Sequence, residues 1–192
     1  MVTVAKQPPA TWREADGDPI AYSDALSSWT SAARQVLMKR AKTYNAYLTE
    51  AELGESIQQI SGVRTKSPTR NWIGPVLEAV ADECHRLGEP ALTSLCVRRD
   101  ESIGTGYGYV LTLNGLSKGA DLDHQAAKDR LACYVRFADN LPAHGGYSTL
   151  PPKIAAARRR EARLNPAPGR LCPSCNTVLP SSGQCDNCGG GA

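Results

Sequence analysis

The chain predicts a mainly helical α+β fold with a β-hairpin near its middle and a small C-terminal module, on three grounds. Apolar residues recur every three or four positions through three stretches before residue 90, which is the helical period. Two short apolar stretches then flank a glycine-rich turn, the pattern of a hairpin. Four cysteines in two C-x-x-C pairs close the chain beyond proline-rich segments. Its 192 residues suffice for one modest domain and an appendage.

Residues 1–20, with Pro8-Pro9, Gly17 and Pro19, lack periodicity and read as a mobile arm. A domain over residues 21–140 follows. Its first helix starts near Ser23 or Asp24. Leu26, Trp29, Ala33, Val36, Leu37, Ala41, Tyr44 and Leu48 form one apolar stripe, leaving Arg34, Lys39, Arg40 and Lys42 as a solvated face. Thr49-Glu50-Ala51-Glu52 has capping-box form, with Leu48 and Leu53 placed as a hydrophobic staple, so a second helix runs from there to Gly62. Asn71 is the expected cap of a third helix, with Pro75 in its first turn, where the missing N–H costs no helical bond. Ile73, Val76, Leu77, Val80, Ala81, Cys84 and Leu87 give this helix an apolar face, and Gly88 ends it.

Strands are expected at Ala91–Arg99 and Tyr107–Leu113, with Asp100–Gly106 as the turn between them. A fourth helix from about Leu122 to Ala138 is expected to bury Leu131, Tyr134, Val135 and Ala138. Residues 141–170 read as a linker. Its proline- and glycine-rich first part gives way to a short helix at Ile154–Leu164 and a stiff spacer at Asn165–Gly169.

The final module, residues 171–192, carries Cys172, Cys175, Cys185 and Cys188. Each C-x-x-C turn presents two sulfurs to one ion, and the intervening residues return the second pair opposite the first. Four thiolates close the coordination sphere, so the expected cofactor is one structural Zn2+ with no open position for substrate. Disulfides or a redox C-x-x-C compete with this reading, but neither a signal peptide nor a strand–helix context accompanies the pairs. Residues 171–189, with Pro173 inside the first knuckle and Gly189 after the second, resemble the short zinc ribbons that bacterial proteins carry at a terminus. Asn176 stands where that family usually has glycine. Cys84, Cys96 and Cys133 lie in apolar-patterned segments and are expected as reduced core residues.

The net charge of +3 is unevenly spread. From Lys153 to Arg170 six basic residues stand against Glu161 alone, whereas residues 1–152 hold sixteen basic and seventeen acidic groups. The ribbon has no Lys or Arg, and four thiolates on zinc add negative charge to it, so it repels phosphate. Arg158, Arg159, Arg160 and Arg163 are the expected phosphate-binding group. No apolar run approaches the roughly 20 residues that span a bilayer, and the N-terminus is too polar for a secretory signal, so a cytoplasmic protein without membrane contact is expected.

Short helices, a sharp turn and a hairpin together resemble a winged helix, which implies DNA contact by the last helix and the hairpin. Arg64, Lys66 and Arg70 would then approach phosphates from the loop before the third helix, and Arg98 and Arg99 from the wing. Glu78, Asp82 and Glu83 on that helix oppose lengthwise DNA contact. The same stretch faintly resembles the DNA-binding domain of alkylguanine alkyltransferases, whose reactive cysteine lies in a Pro-Cys-His-Arg motif. Cys84-His85-Arg86 matches three letters but falls on the third helix, and Cys96, between Leu95 and Val97, has no neighbouring histidine, so the resemblance implies topology and no alkyl transfer. Gly104, Gly106 and Gly108 precede a predicted strand and lack the lysine and helix of a phosphate loop. His124 and His144 read as surface histidines, and no catalytic constellation assembles. The expected function is a non-catalytic, nucleic-acid-associated regulatory or accessory protein, DNA being the expected partner of the basic segment and a protein the partner of the ribbon. The alternative is a protein–protein adaptor without nucleic-acid contact.

Overall fold

Alanines and a tryptophan at helical spacing build the first element, α1 (Tyr22–Ala41), which buries Ala25, Trp29, Ala32, Ala33, Leu37 and Ala41 along one stripe. The structure, a computed structural model, describes residues 10–115, 121–165, 171–180 and 184–189; the first nine residues of the expected arm and residues 166–169 of the expected spacer lie outside them. The chain divides into two compact bodies, Met1–Ile154 and Ala155–Ala192.

The helix stops earlier than its stripe predicts. Asn45 turns the chain with φ 62°, and Leu48, the last position of the periodic stripe, enters a two-residue strand, β2 (Leu48–Thr49). Thr49 is needed elsewhere: its hydroxyl accepts the Glu52 N–H at 3.3 Å, while the Glu52 carboxylate accepts the Thr49 N–H at 2.7 Å. That reciprocal pair opens α2 (Glu50–Ser61) as a complete capping box, and Gly62 closes it with φ 64°. Leu53 and Ile57 face the core.

Beyond Gly62, Val63–Thr65 forms β3, which pairs antiparallel with β1 (Thr11–Arg13), Trp12 opposite Arg64. Residues 11–20 are therefore tied down, and the expectation of a mobile arm fails for them. The Thr11 hydroxyl donates to the Ile20 carbonyl and the Thr65 hydroxyl to the Ala10 carbonyl, so side chains extend the short ladder. Asn71 does not cap α3 (Ile73–Leu87); it ends a 3₁₀ turn, Thr69–Asn71, and Trp72 takes the cap position. Trp72 is fully buried, its ring 4.4 Å from that of Trp29, and the two indole N–H groups donate to the Ser67 and Val63 carbonyls. This tryptophan pair joins α1, α3 and β3. Arg34 bridges Glu83 at 3.3 Å and Glu89 at 2.8 Å, so it clamps α1 to the end of α3 and does not belong to a solvated face.

The expected hairpin is not formed. Leu92–Leu95 is a 3₁₀ turn, only Cys96–Val97 is extended (β4), and it pairs parallel to β2, Leu48 opposite Cys96. The physical reason is burial on all sides: every residue from Leu92 to Val97 is buried among helices. An extended run there would need ladder partners along both edges, which these helices do not offer. A turn satisfies part of the backbone locally, and the Arg130 Nε–H reaches the Ser94 carbonyl at 3.0 Å. Tyr107–Leu113 is no strand either; Gly108–Leu113 is a short helix, α4, because Tyr107, Val110 and Leu111 pack together against Ala81 and Ala126. A lone antiparallel bridge, Val97 to Ile103, remains of the predicted pairing. Without a hairpin over 91–113 these residues supply no wing, and the winged-helix outline loses its second contact.

Asp121 caps α5 (Leu122–Phe137), accepting the N–H groups of Asp123 and His124. This helix buries Ala126, Ala127, Arg130, Cys133 and Tyr134; Val135 is 58% exposed, against expectation, because the helix meets its neighbours one position earlier. The segment after it is not a free linker. Asp139 N–H donates to the Lys42 carbonyl, Tyr44 N–H to the Asn140 side chain, and Tyr147 N–H to the Tyr44 hydroxyl at 2.8 Å. Pro151 is buried, and the Lys153 N–H donates to Glu101 at 2.8 Å. The strap thus fixes the start of α6 (Pro152–Leu164), none of whose residues is buried. Among the described residues no helix is long and apolar enough to cross a membrane.

Candidate functional site

In the C-terminal body, Leu171 bridges Val178 antiparallel, and the first knuckle is closed by Asn176 N–H to the Cys172 carbonyl and Cys172 N–H to the Thr177 carbonyl. Asn176 takes φ 59°, which asparagine tolerates better than most residues, so the departure from glycine leaves the turn intact. The second knuckle closes in the same way, Gly189 N–H to the Cys185 carbonyl, with Gly189 at φ 70°.

These turns bring the four sulfurs of Cys172, Cys175, Cys185 and Cys188 within 4.8 Å of one another. The closest pairs run across the knuckles, Cys172 to Cys188 and Cys175 to Cys185, each 3.4 Å. Disulfide sulfurs would be about 2.05 Å apart. A tetrahedron of thiolates about 2.3 Å from a central ion has edges of about 3.8 Å, which the observed set approaches. None of the seven cysteines is in a disulfide. The donor set therefore fits one four-coordinate metal ion bound entirely by sulfur.

The local field favours thiolate. Backbone N–H groups of Ser174 and Cys175 lower the Cys172 pKa. The Thr177 hydroxyl, 3.3 Å away, its N–H and the Cys185 thiol bring Cys175 down to about 6. Thr177 escaped the sequence reading, although a hydroxyl two residues past the second cysteine of a knuckle is placed to hydrogen-bond with its sulfur. The three core cysteines behave oppositely: burial raises Cys84, Cys96 and Cys133, the last to about 12. Their surroundings are those of inert core thiols, in agreement with expectation.

The basic residues fall into separate groups. Arg159, Arg160 and Arg163 are exposed on α6, within about 100° of its circumference, while Arg158 lies half-exposed beside them. The five basic residues expected around a winged core do not form one surface. Arg64 is paired with Glu14 at 2.7 Å, and Arg70 and Arg98 line a cavity of the N-terminal body. Lys66 and Arg99 are exposed, and the Arg99 carbonyl accepts from Lys153 Nζ at 3.1 Å. Two of the three acids of α3 are engaged: Asp82 accepts the Tyr109 hydroxyl at 2.6 Å and Glu83 pairs with Arg34. His124 faces the cap carboxylate Asp121 at 3.0 Å, and His144 stacks on Tyr147.

No family model matches the chain, and neither a curated protein nor a solved structure matches it.

Proposed function

We propose that the chain is a non-catalytic, nucleic-acid-associated accessory protein in which α6 supplies affinity and the cysteine module, holding one structural Zn2+, docks a protein partner. The observation that carries this is the side of α6 formed by Arg159, Arg160 and Arg163, exposed on a helix that buries none of its residues. A helix that offers so little to a core persists here on alanine-rich propensity and charge, and its cations are placed to displace counterions from a phosphate backbone. The reading needs no wing. Duplex DNA is the expected ligand, and the cytoplasm the expected setting. The adaptor alternative rests on the acidic third helix together with the acidic ribbon; Asp82 and Glu83 are held by Tyr109 and Arg34, which leaves Glu78 and the charge of the ribbon to support it.

Salt titration of binding to a labelled DNA duplex tests the reading. Three to four phosphate contacts give a log–log slope of about −3, hence a loss of roughly 40- to 150-fold between about 50 and 200 mM salt. Replacing Arg158, Arg159, Arg160 and Arg163 by glutamine is expected to abolish that slope. Binding unaffected by the fourfold substitution, or no binding at low salt, would sink the proposal. Partners captured by the ribbon are expected to survive nuclease treatment.

A further inference from the structure

The N-terminal body encloses a cavity of about 290 Å³ between the start of α2, the outer side of α3, β4 and the loop that leads into α4. That is the small end of the range for ligand pockets, about 300–1,000 Å³, and suits a metabolite of modest size. Its walls are apolar: Ile73, Leu77 and Ala81 from α3, Ile103 and Val110 from the facing segment. Gly106 lines it without a side chain, and a Cβ there would meet nothing within 4 Å, so the space continues over the backbone.

Polar groups at this cavity are left without protein partners. The Thr93 side chain is part of the wall, 4% exposed, and its hydroxyl has no hydrogen-bond partner among the described residues. Leaving a buried hydroxyl unpaired is costly, and a ligand group that hydrogen-bonds to it would recover that cost. Glu50 is half-buried at the mouth, and among the described residues its carboxylate makes no hydrogen bond or ion pair; burial raises its pKa and Arg98 opposes that rise. Arg70, exposed at the rim, also lines the cavity and has no protein partner among the described residues.

The segments that carry the carboxylate and the guanidinium pack together, and both residues line the cavity. Glu50 lies one helical turn before Gly54, and a Cβ on Gly54 would sit 2.6 Å from Thr69 Cγ2, so the Thr69–Arg70 segment packs directly on that turn. Arg98, close enough to Glu50 to oppose the rise in its pKa, adds a second guanidinium to the lining.

We propose that this cavity binds a small zwitterionic amphiphile of the apolar amino-acid class. The ligand's ammonium faces Glu50, its carboxylate faces Arg70 with Arg98 in support, and its apolar side chain lies against Ile73, Leu77 and Val110. The site is separate from the ribbon and from α6, and stands whether or not the chain binds nucleic acid.

Calorimetric titration of the metal-loaded full chain with L-leucine tests this, with isopentylamine and isocaproate as analogues lacking one charge each. Leucine is expected to bind one site, and each analogue roughly 10- to 100-fold more weakly. Glu50→Gln is expected to weaken leucine by a similar factor without changing isocaproate, and Arg70→Met to weaken leucine without changing isopentylamine. In the unaltered protein, methyl resonances of Ile73, Leu77 and Val110 are expected to shift on titration, which does not depend on any variant folding. Absence of heat with leucine, isocaproate binding as tightly as leucine, or methyl shifts confined to other parts of the domain would each overturn the proposal.

Discussion

Replacing Cys175 by serine should strip the chain of its metal and unfold the ribbon while leaving the N-terminal body untouched. The reasoning begins with how little else holds the module. Among the described residues its buried cluster is Cys172, Leu179 and Cys185, with Cys175 half-buried beside them. Burying Leu179 contributes about 1.5–3 kcal/mol. Ordering the backbone costs about 1–2 kcal/mol per residue, so one leucine offsets only a residue or two. The metal must supply the rest. Structural zinc contributes an apparent 10–16 kcal/mol in modules of this kind, roughly 2.5–4 kcal/mol for each of four thiolates. Loss of one ligand should therefore weaken metal binding by about 10²- to 10³-fold. Native mass spectrometry counts the ion, one per chain in the parent and none in the variant at trace metal. Alkylation under native conditions near pH 8 then reports the fold. Cys172, Cys185 and Cys188 should react in the variant and resist in the parent. Cys84, Cys96 and Cys133 serve as internal controls, since they are at most 3% exposed and Cys133 is raised to about 12. At pH 8 a thiol of that kind is ionised in only about one molecule in ten thousand. Continued protection of the three ribbon cysteines in metal-free Cys175→Ser would refute the argument, for it would mean that the ribbon folds on packing alone.

Four further variants test the N-terminal body. Gly146→Ala places a Cβ at φ 75° and 2.6 Å from the Tyr44 ring, so it should release the 139–151 strap; limited proteolysis within that segment should accelerate, with the global melting temperature changed much less. Tyr44→Phe removes the hydroxyl that accepts Tyr147 N–H and should do the same more weakly, by about 1 kcal/mol. Thr49→Ala should lower stability by about 1 kcal/mol in urea unfolding. Glu52 carries a pH signature: hydrogen bonds from the Thr49 N–H and hydroxyl hold its carboxyl below the ordinary value of 4.5. A depressed folded pKa stabilises above the unfolded value and is lost as pH falls through the folded one, so the parent should lose this increment below about pH 4.5 and Glu52→Gln should show a flatter acid limb.

Local chemistry was legible in the sequence wherever neighbours in the chain are neighbours in space. The capping box of α2, the glycine ends of α2 and α3, and the metal-binding knuckles each close over a few residues. Their hydrogen bonds therefore need only nearby residues and, for the knuckles, the ion they would hold. The same held for the stripe of α1, whose 3.6-residue period needs only something apolar to face. What tertiary structure alone decided is where such local preferences compete. Glycines and β-branched residues over 91–113 favour a hairpin in isolation. They become turns and a short helix because Leu92–Val97 is enclosed by helices, and because Tyr107, Val110 and Leu111 gain more from packing beside Ala81 and Ala126 than from pairing with each other. The Pro- and Gly-rich strap reads as a linker until Tyr44, more than a hundred residues earlier, offers its hydroxyl to Tyr147. The cavity needed the fold most of all: Glu50, Arg70 and Thr93 have no sequence relation, and only the packing of Thr69 on Gly54 and of β4 on β2 brings their unpartnered groups to one space.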